Sequence, residues 1–158
     1  MNSIKHFLVV AALFLLAFSI TAIALNDYQQ PLNFWGGAEI ASPSDWVSED
    51  QIKVYDDTVI LQLTGATWAK FTDTNSMDPF LDDGANAIEI MPDSAEDIQV
   101  GDIISYQTDS GIIIHRVIEV GEDNDGIYYT VQGDNNSFAD PVKVRYSDVV
   151  GVLVAIIY

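Results

Sequence analysis

Residues 111–120, which read Gly-Ile-Ile-Ile-His-Arg-Val-Ile-Glu-Val, indicate the class of fold. A run rich in β-branched residues and bounded by turn residues is typical of a β-strand. Five further segments have the same character and are predicted strands: residues 58–64, 87–91, 102–107, 127–132 and 149–157. Short turn sequences separate these strands without a long helical pattern between them. We therefore predict a mainly β domain, antiparallel and curled or barrel-like, over residues 53–158.

The chain before this domain starts with an apolar segment. Residues 7–25 carry no charged side chain, and as a helix they would extend about 28 Å, close to the hydrocarbon thickness of a bilayer. We predict a transmembrane signal-anchor helix here, after a short cytoplasmic terminus at residues 1–6. A cleavable signal peptide is the alternative, because residues 22–24 have the small-x-small pattern of a cleavage site. Lys5 before the helix and Asp27 after it favour a cytoplasmic amino terminus and an extracytoplasmic domain.

Residues 26–52 are predicted to be a juxtamembrane linker. Aromatic residues between positions 28 and 35 precede two glycines. These rings suit either the lipid headgroup region or an ordinary loop over the core. Ser42 as cap, with proline next and an aspartate three residues on, predicts the start of a short helix.

The composition excludes some functions. The 158 residues suffice for one domain with a proper core, and 24 acidic against 6 basic residues give a net charge of -18. Such a surface repels phosphate backbones, so no nucleic-acid binding is expected. The acidic surface fits either a high-salt environment or an ordinary solvated exterior. The chain has no cysteine, no HExxH motif and no pair of histidines at ligand spacing, and we predict no metal and no cofactor.

Three polar residue types that acyl transfer requires occur in turn or strand contexts. Ser76 lies just before a bend at Asp78-Pro79, where a hydroxyl could face a groove. His115 interrupts an otherwise apolar strand, and a Gly-Asp-Asn-Asn turn at residues 133–136 is followed by Asp140. Taken singly, each has an ordinary structural explanation, such as a turn serine or a core histidine. Together they provide a nucleophile, a base and an acid.

The order of these motifs resembles a known family. Ser-Met-x-Pro at residue 76, Gly-Asp before a strand at residue 101, His-Arg-Val at residue 115 and Gly-Asp-Asn-Asn at residue 133 occur in sequence. This series is similar to type I signal peptidase of the archaeal and endoplasmic-reticulum kind, over about residues 72–152. In the bacterial branch of the family a lysine stands at the position of His115. The histidine therefore points to the other branch.

The resemblance implies roles for individual residues. Ser76 would be the nucleophile and His115 the general base, since an imidazole is mostly neutral at pH 7. Two aspartates match family positions, and we expect Asp140 to orient the histidine while Asp134 supports it. The Ser76 amide and the hydroxyl of Thr74 would stabilise the oxyanion. Asn75 stands where the family often has glycine, and asparagine also tolerates left-handed dihedral angles.

The implied activity is that of a membrane-anchored serine endopeptidase that removes signal peptides from exported proteins. Its substrates would be preproteins with small side chains at the first and third positions before the cut. The lipid bilayer would be a second partner, and association with the translocation machinery is compatible with that role. The alternative is a catalytically silent, membrane-tethered β domain that binds an exported or translocating partner.

Overall fold

The computed structural model describes residues 39–158. The predicted terminus, the predicted membrane helix and most of the predicted linker lie outside these residues. Within residues 39–158, no helix is long and apolar enough to cross a bilayer.

The described chain forms two antiparallel sheets. The strands are β1 (Ile52–Val54), β2 (Val59–Leu61), β3 (Thr67–Lys70), β4 (Asn86–Ile90), β5 (Ile103–Thr108), β6 (Gly111–Asp123), β7 (Gly126–Gln132), β8 (Val144–Arg145) and β9 (Val149–Ile157). Strands β1 and β2 form a hairpin, and the other seven form one sheet in the order β3-β4-β9-β5-β6-β7-β8. Short 3-10 turns occur at Glu49–Gln51, Ala95–Asp97 and Tyr146–Asp148.

The prediction of a mainly β, antiparallel fold is confirmed, and the barrel-like closure is wrong. Strands β3 and β8 are the two ends of the sheet order and do not pair with each other within residues 39–158. The sheet is therefore open. The physical reason is that β8 has only two residues and β3 four, which leaves little backbone for a closing ladder.

Two apolar clusters fill the core. Ile103 and Ile104 are consecutive in β5, so their side chains point to opposite faces of the sheet, and they belong to different clusters. The larger cluster contains Tyr106 and residues of β6, β7 and β9. The smaller cluster contains Met77 and Leu81. The segment that carries Ser76 is thus anchored to the sheet by buried side chains on its carboxyl-terminal side.

The helix predicted to start at Ser42 is wrong, because this segment has no helical residue before Glu49–Gln51. The carboxylate of the fully buried Asp102 accepts hydrogen bonds from the Ser44 amide at 2.6 Å and from the Trp46 indole nitrogen at 3.0 Å. A buried carboxylate requires such donors. The tertiary contacts therefore outweigh the local signal for a helix cap.

Candidate active site

Ser76 lies in a turn within the long connection, residues 71–85, between β3 and β4. Asn75, immediately before it, has a φ of +57°, which fits the expected tolerance of asparagine for left-handed geometry. The Asp78–Pro79 peptide bond is cis, and the Phe80 and Leu81 amides both donate to the carbonyl of Met77. The backbone thus bends sharply beside the serine. Ser76 itself is half-buried.

His115 and Asp140 are in direct contact. Nδ1 of His115 lies 2.6 Å from Oδ2 of Asp140, and both side chains are largely buried. The other ring nitrogen, Nε2, faces Gly133 and the Ser76 segment, since a Cβ placed on Gly133 would lie 2.9 Å from Nε2 and 2.5 Å from the Ser76 carbonyl oxygen. One ring nitrogen therefore meets a carboxylate while the other lies beside Gly133, close to the main chain of Ser76.

Tyr106 contacts the same carboxylate. Its hydroxyl donates a hydrogen bond to Asp140 Oδ2, and only 1% of the residue is exposed. Burial, followed by the hydrogen bond to Asp140 and the negative charge of that carboxylate, raises the pKa of Tyr106. The phenol therefore stays protonated and acts as a donor. Asp140 is held from two sides, by Tyr106 and by His115.

Asp134 does not contact His115 and is paired with Arg116. Its two carboxylate oxygens accept hydrogen bonds from Nε and Nη2 of Arg116 at 2.7 and 2.6 Å. The remaining Arg116 nitrogen, Nη1, donates to the carbonyls of Gly101 at 2.8 Å and Ala41 at 3.2 Å. Such a bidentate pair fixes geometry as well as charge. The structure thus separates the two aspartates: Asp140 contacts the histidine and Asp134 contacts the arginine.

The Gly-Asp-Asn-Asn turn packs against the serine segment. The Asn135 amide donates to the Ser76 carbonyl at 3.0 Å, and the Asn135 side chain donates to the Asn75 carbonyl at 2.9 Å. Gly133 is required for this close approach, since a Cβ there would also meet the Asn136 side-chain nitrogen at 2.7 Å. The turn therefore joins the serine segment to the strand that carries His115.

The two predicted oxyanion donors, the Thr74 hydroxyl and the Ser76 amide, both lie beside the Ser76 hydroxyl. Oγ of Ser76 lies 3.3 Å from Oγ1 of Thr74, and the Ser76 amide donates to no acceptor within residues 39–158. Over the same residues, no hydrogen bond joins Ser76 Oγ to His115. Catalytic hydrogen bonds are often long before substrate binds and tighten in the complex.

Ser76 and His115 line one groove of about 630 Å³. Its other lining residues come mostly from β3, the strand β6 segment before His115, and the facing strands: Thr67, Trp68, Ala69, Lys70, Phe71, Thr72, Thr74, Met77, Leu81, Glu89, Ser105, Ile112, Ile113, Ile114 and Val150. Most of this lining is apolar, as is usual for ligand-binding clefts. An open groove with a serine and a carboxylate-bound histidine at its wall has the composition of a serine hydrolase site.

Comparison with known proteins supports a relation at the level of a family. The chain is 26% identical over 77 residues to signal peptidase I W of Bacillus subtilis (strain 168), and the match covers 48% of this chain and 40% of that protein. The chain thus matches less than half the length of this relative. No family model matches the chain, and no solved structure does. The similarity supports a relation to signal peptidase I, and the histidine branch of that family stays a prediction.

Three side chains beside the site have no role in the sequence analysis. Tyr106 belongs to a predicted strand whose pattern marks it as core, and nothing in the sequence indicates that its hydroxyl reaches Asp140. Arg116 is part of the His-Arg-Val motif, so its adjacency to His115 is the one signal that could have singled it out. Glu89 alternates with apolar residues in β4, a pattern that predicts exposure. In the structure it is buried.

Proposed function

We propose that the chain is a membrane-anchored serine endopeptidase that removes signal peptides from exported proteins, with Ser76 as nucleophile and His115 as general base. The observation that carries the proposal is the 2.6 Å contact between His115 Nδ1 and Asp140 Oδ2 in a chain related to signal peptidase I. With Nδ1 on the carboxylate, Nε2 is the ring nitrogen left to act as a base, and it lies beside Gly133. A general base needs this orientation to take the proton of the hydroxyl.

The proposed reaction follows from these positions. The Ser76 oxygen attacks the scissile carbonyl while its proton passes to Nε2 of His115. The negative charge of Asp140 stabilises the imidazolium that forms, and Tyr106 holds that carboxylate in place. The free amide of Ser76 and the hydroxyl of Thr74 donate to the oxyanion. His115 then returns the proton to the leaving amine, and water releases the acyl group by the same steps in reverse.

The membrane anchor at residues 7–25 is part of the proposal. Signal peptides are cut next to the bilayer, and a tethered protease would be held at the depth of the scissile bond. Tethering raises the effective concentration of the substrate without a new contact. The domain would then lie on the extracytoplasmic side, with preproteins as partners.

The test is cleavage of a preprotein by the full chain in detergent micelles. We expect one cut after a small-x-small sequence, and we expect Ser76→Ala to abolish it without lowering the melting temperature, because a half-buried hydroxyl contributes little packing. Ser110→Ala is the matched control, since Ser110 is an exposed residue of the β5–β6 turn. This variant should cleave the preprotein at the wild-type rate. Cleavage by Ser76→Ala at that rate would refute the nucleophile assignment.

One observation favours the second candidate, a catalytically silent domain that binds an exported or translocating partner. Within the described part of the chain, Ser76 Oγ is hydrogen-bonded to Thr74 Oγ1 and not to His115. In that case the wild-type chain would bind the preprotein and leave it intact. The same incubation separates the two functions.

A further inference from the structure

A buried carboxyl group lies in the wall of the groove. Glu89 of β4 is 3% exposed and lines the groove together with Ser105 of β5. The Ser105 hydroxyl donates to Oε1 of Glu89. A carboxyl group is costly to bury in apolar surroundings, and burial raises the pKa of Glu89, an effect that the Ser105 hydrogen bond partly offsets. Burial of this carboxyl group in the groove wall therefore costs folding free energy.

The backbone is shaped to bring the two side chains together. Strand β9 lies between β4 and β5 in the sheet, so Glu89 must reach across it to Ser105. Gly151 of β9 pairs with Ser105, and a Cβ on Gly151 would lie 2.9 Å from Glu89 Cβ. Register shifts occur at Ile88/Glu89 and at Ser105/Tyr106. Bulges of this kind redirect side chains next to binding sites. Here one bulge comes immediately before Glu89 and the other immediately after Ser105.

One oxygen of the carboxyl group is available to a ligand. Oε2 accepts no hydrogen bond from residues 39–158 and is not fully enclosed. A substrate that fills the groove would cover this oxygen and remove its water. An apolar substrate side chain would then leave a buried acceptor unpaired, whereas a donor would satisfy it. Sites of this kind reject an analogue that lacks the donor more strongly than apolar pockets reject one methylene.

The carboxyl group is close enough to the proposed catalytic residues to contact the residues before the cut. Ser105 pairs with Ile114, the neighbour of His115. Although the side chains of Ser105 and His115 leave opposite faces of their strands, both residues line the groove of about 630 Å³ that also contains Ser76 and Glu89. An extended substrate advances by about 3.3 Å per residue, so in a groove of this size the carboxyl group lies within about four residues of the scissile bond.

We propose that Glu89 and Ser105 form a subsite that binds a hydrogen-bond-donating side chain, such as threonine, within four residues before the cut. This inference rests on the proposed function for the identity of the substrate. It replaces the expectation that small size alone governs the residues before the cut. The groove would select a small polar side chain at one position.

The experiment uses the full chain in detergent micelles and peptide pairs that differ only by threonine or valine at one of the four positions before the cut. Because these side chains have nearly the same shape, their ratio of kcat/KM isolates the hydrogen bond. We expect the wild-type chain to prefer threonine about tenfold at one position. In Glu89→Leu the preference should disappear at that position. Glu119→Leu, on the exposed part of β6, is the matched control and should keep it.

Every outcome decides the inference. A wild-type ratio of one or less at all four positions overturns it even if Glu89→Leu does not fold, and an unchanged ratio in folded Glu89→Leu overturns it as well. If the wild-type chain cleaves nothing, the proposed function fails. The subsite is then tested by measuring equilibrium binding of the same peptides. Tighter binding of threonine at one position would then support the subsite, and equal or no binding would refute it.

Discussion

Replacement of Asp134 by asparagine tests whether this residue stabilises the fold or takes part in the chemistry. Arg116 is 7% exposed, and its guanidinium group is held by Asp134 and by two backbone carbonyls. Asparagine removes the opposing charge and directs an NH2 group at the guanidinium. Breaking one side of a buried ion pair costs roughly 3 to 5 kcal/mol. Because asparagine keeps one acceptor, we expect about 3 kcal/mol, which would lower Tm by roughly 10 °C in a chain of this size.

The assay is thermal unfolding of the full chain in detergent, with tryptophan fluorescence as the signal that monitors unfolding. Asp125→Asn makes the same chemical change at a carboxylate that is 87% exposed and lies 4.0 Å from Nη2 of Arg145, and its Tm should change far less. Adding Arg116→Met to Asp134→Asn should recover part of the loss, because the uncompensated charge is then gone. Equal melting temperatures for Asp134→Asn and Asp125→Asn would refute the reasoning.

Activity separates the two aspartates. At a temperature where both variants are folded, Asp140→Asn should lower kcat by about 10⁴-fold, since the amide favours the wrong imidazole tautomer and carries no negative charge to stabilise the imidazolium. Asp134→Asn should stay within about tenfold of the wild-type rate, because Asp134 touches no reacting group in the proposed mechanism. The reverse pattern would exchange the roles proposed for the two residues.

Two further predictions concern buried polar groups near the groove. Tyr106→Phe removes the hydroxyl that holds Asp140, so kcat should fall while KM is unchanged, as Tyr106 lies outside the groove lining; steady-state kinetics would show this, and a rise in KM alone would contradict it. Glu89 has a pKa above its ordinary value of 4.5 in the folded chain, so the folded state keeps its proton to higher pH than the unfolded state. Wild-type stability therefore decreases as pH rises from about 4.5 through the raised value. The Tm difference, Glu89→Gln minus wild type, should increase over that interval, and a constant difference would exclude the effect.

The strand pattern was predictable where a β-branched or alternating run of residues marks the strand. The six predicted strands correspond to β2, β4, β5, β6, β7 and β9. Strand β2 has three residues but lies within the longer β-rich run of residues 58–64. Strands β1, β3 and β8, of three, four and two residues, have no such run around them. Their pairing is set by neighbours in the sheet. Closure of the sheet was wrong for a related reason, because it depends on the edge strands, whose lengths the sequence does not reveal.

The site was predictable at the level of motifs and not of contacts. The motif order identified Ser76, His115 and both aspartates as candidates, but it left open which carboxylate meets the histidine. The partner of Asp134 is the guanidinium group of Arg116, which lies 18 residues earlier in the sequence and on the neighbouring strand β6. Glu89 was missed because an acid alternating with apolar residues in a strand ordinarily faces solvent. Its burial depends on Gly151, which is distant in sequence.

The alternation of one strand explains why the two aspartates have different partners. His115 and Arg116 are consecutive in β6, so their side chains leave opposite faces of the sheet. Asp134 and Asp140 lie in the single loop that follows β7, and the Asp140 amide is fixed to the Val131 carbonyl at 2.8 Å. Each aspartate reaches the side chain on its own face. The dipeptide His115-Arg116 thereby holds the loop of residues 133–143 at two points, Asp140 and Asp134. A shift of β6 by one residue would exchange the faces, bring the guanidinium group to Asp140 and remove the imidazole from it. The register of β6 against β5 and β7 is therefore the feature on which the proposed proton transfer depends.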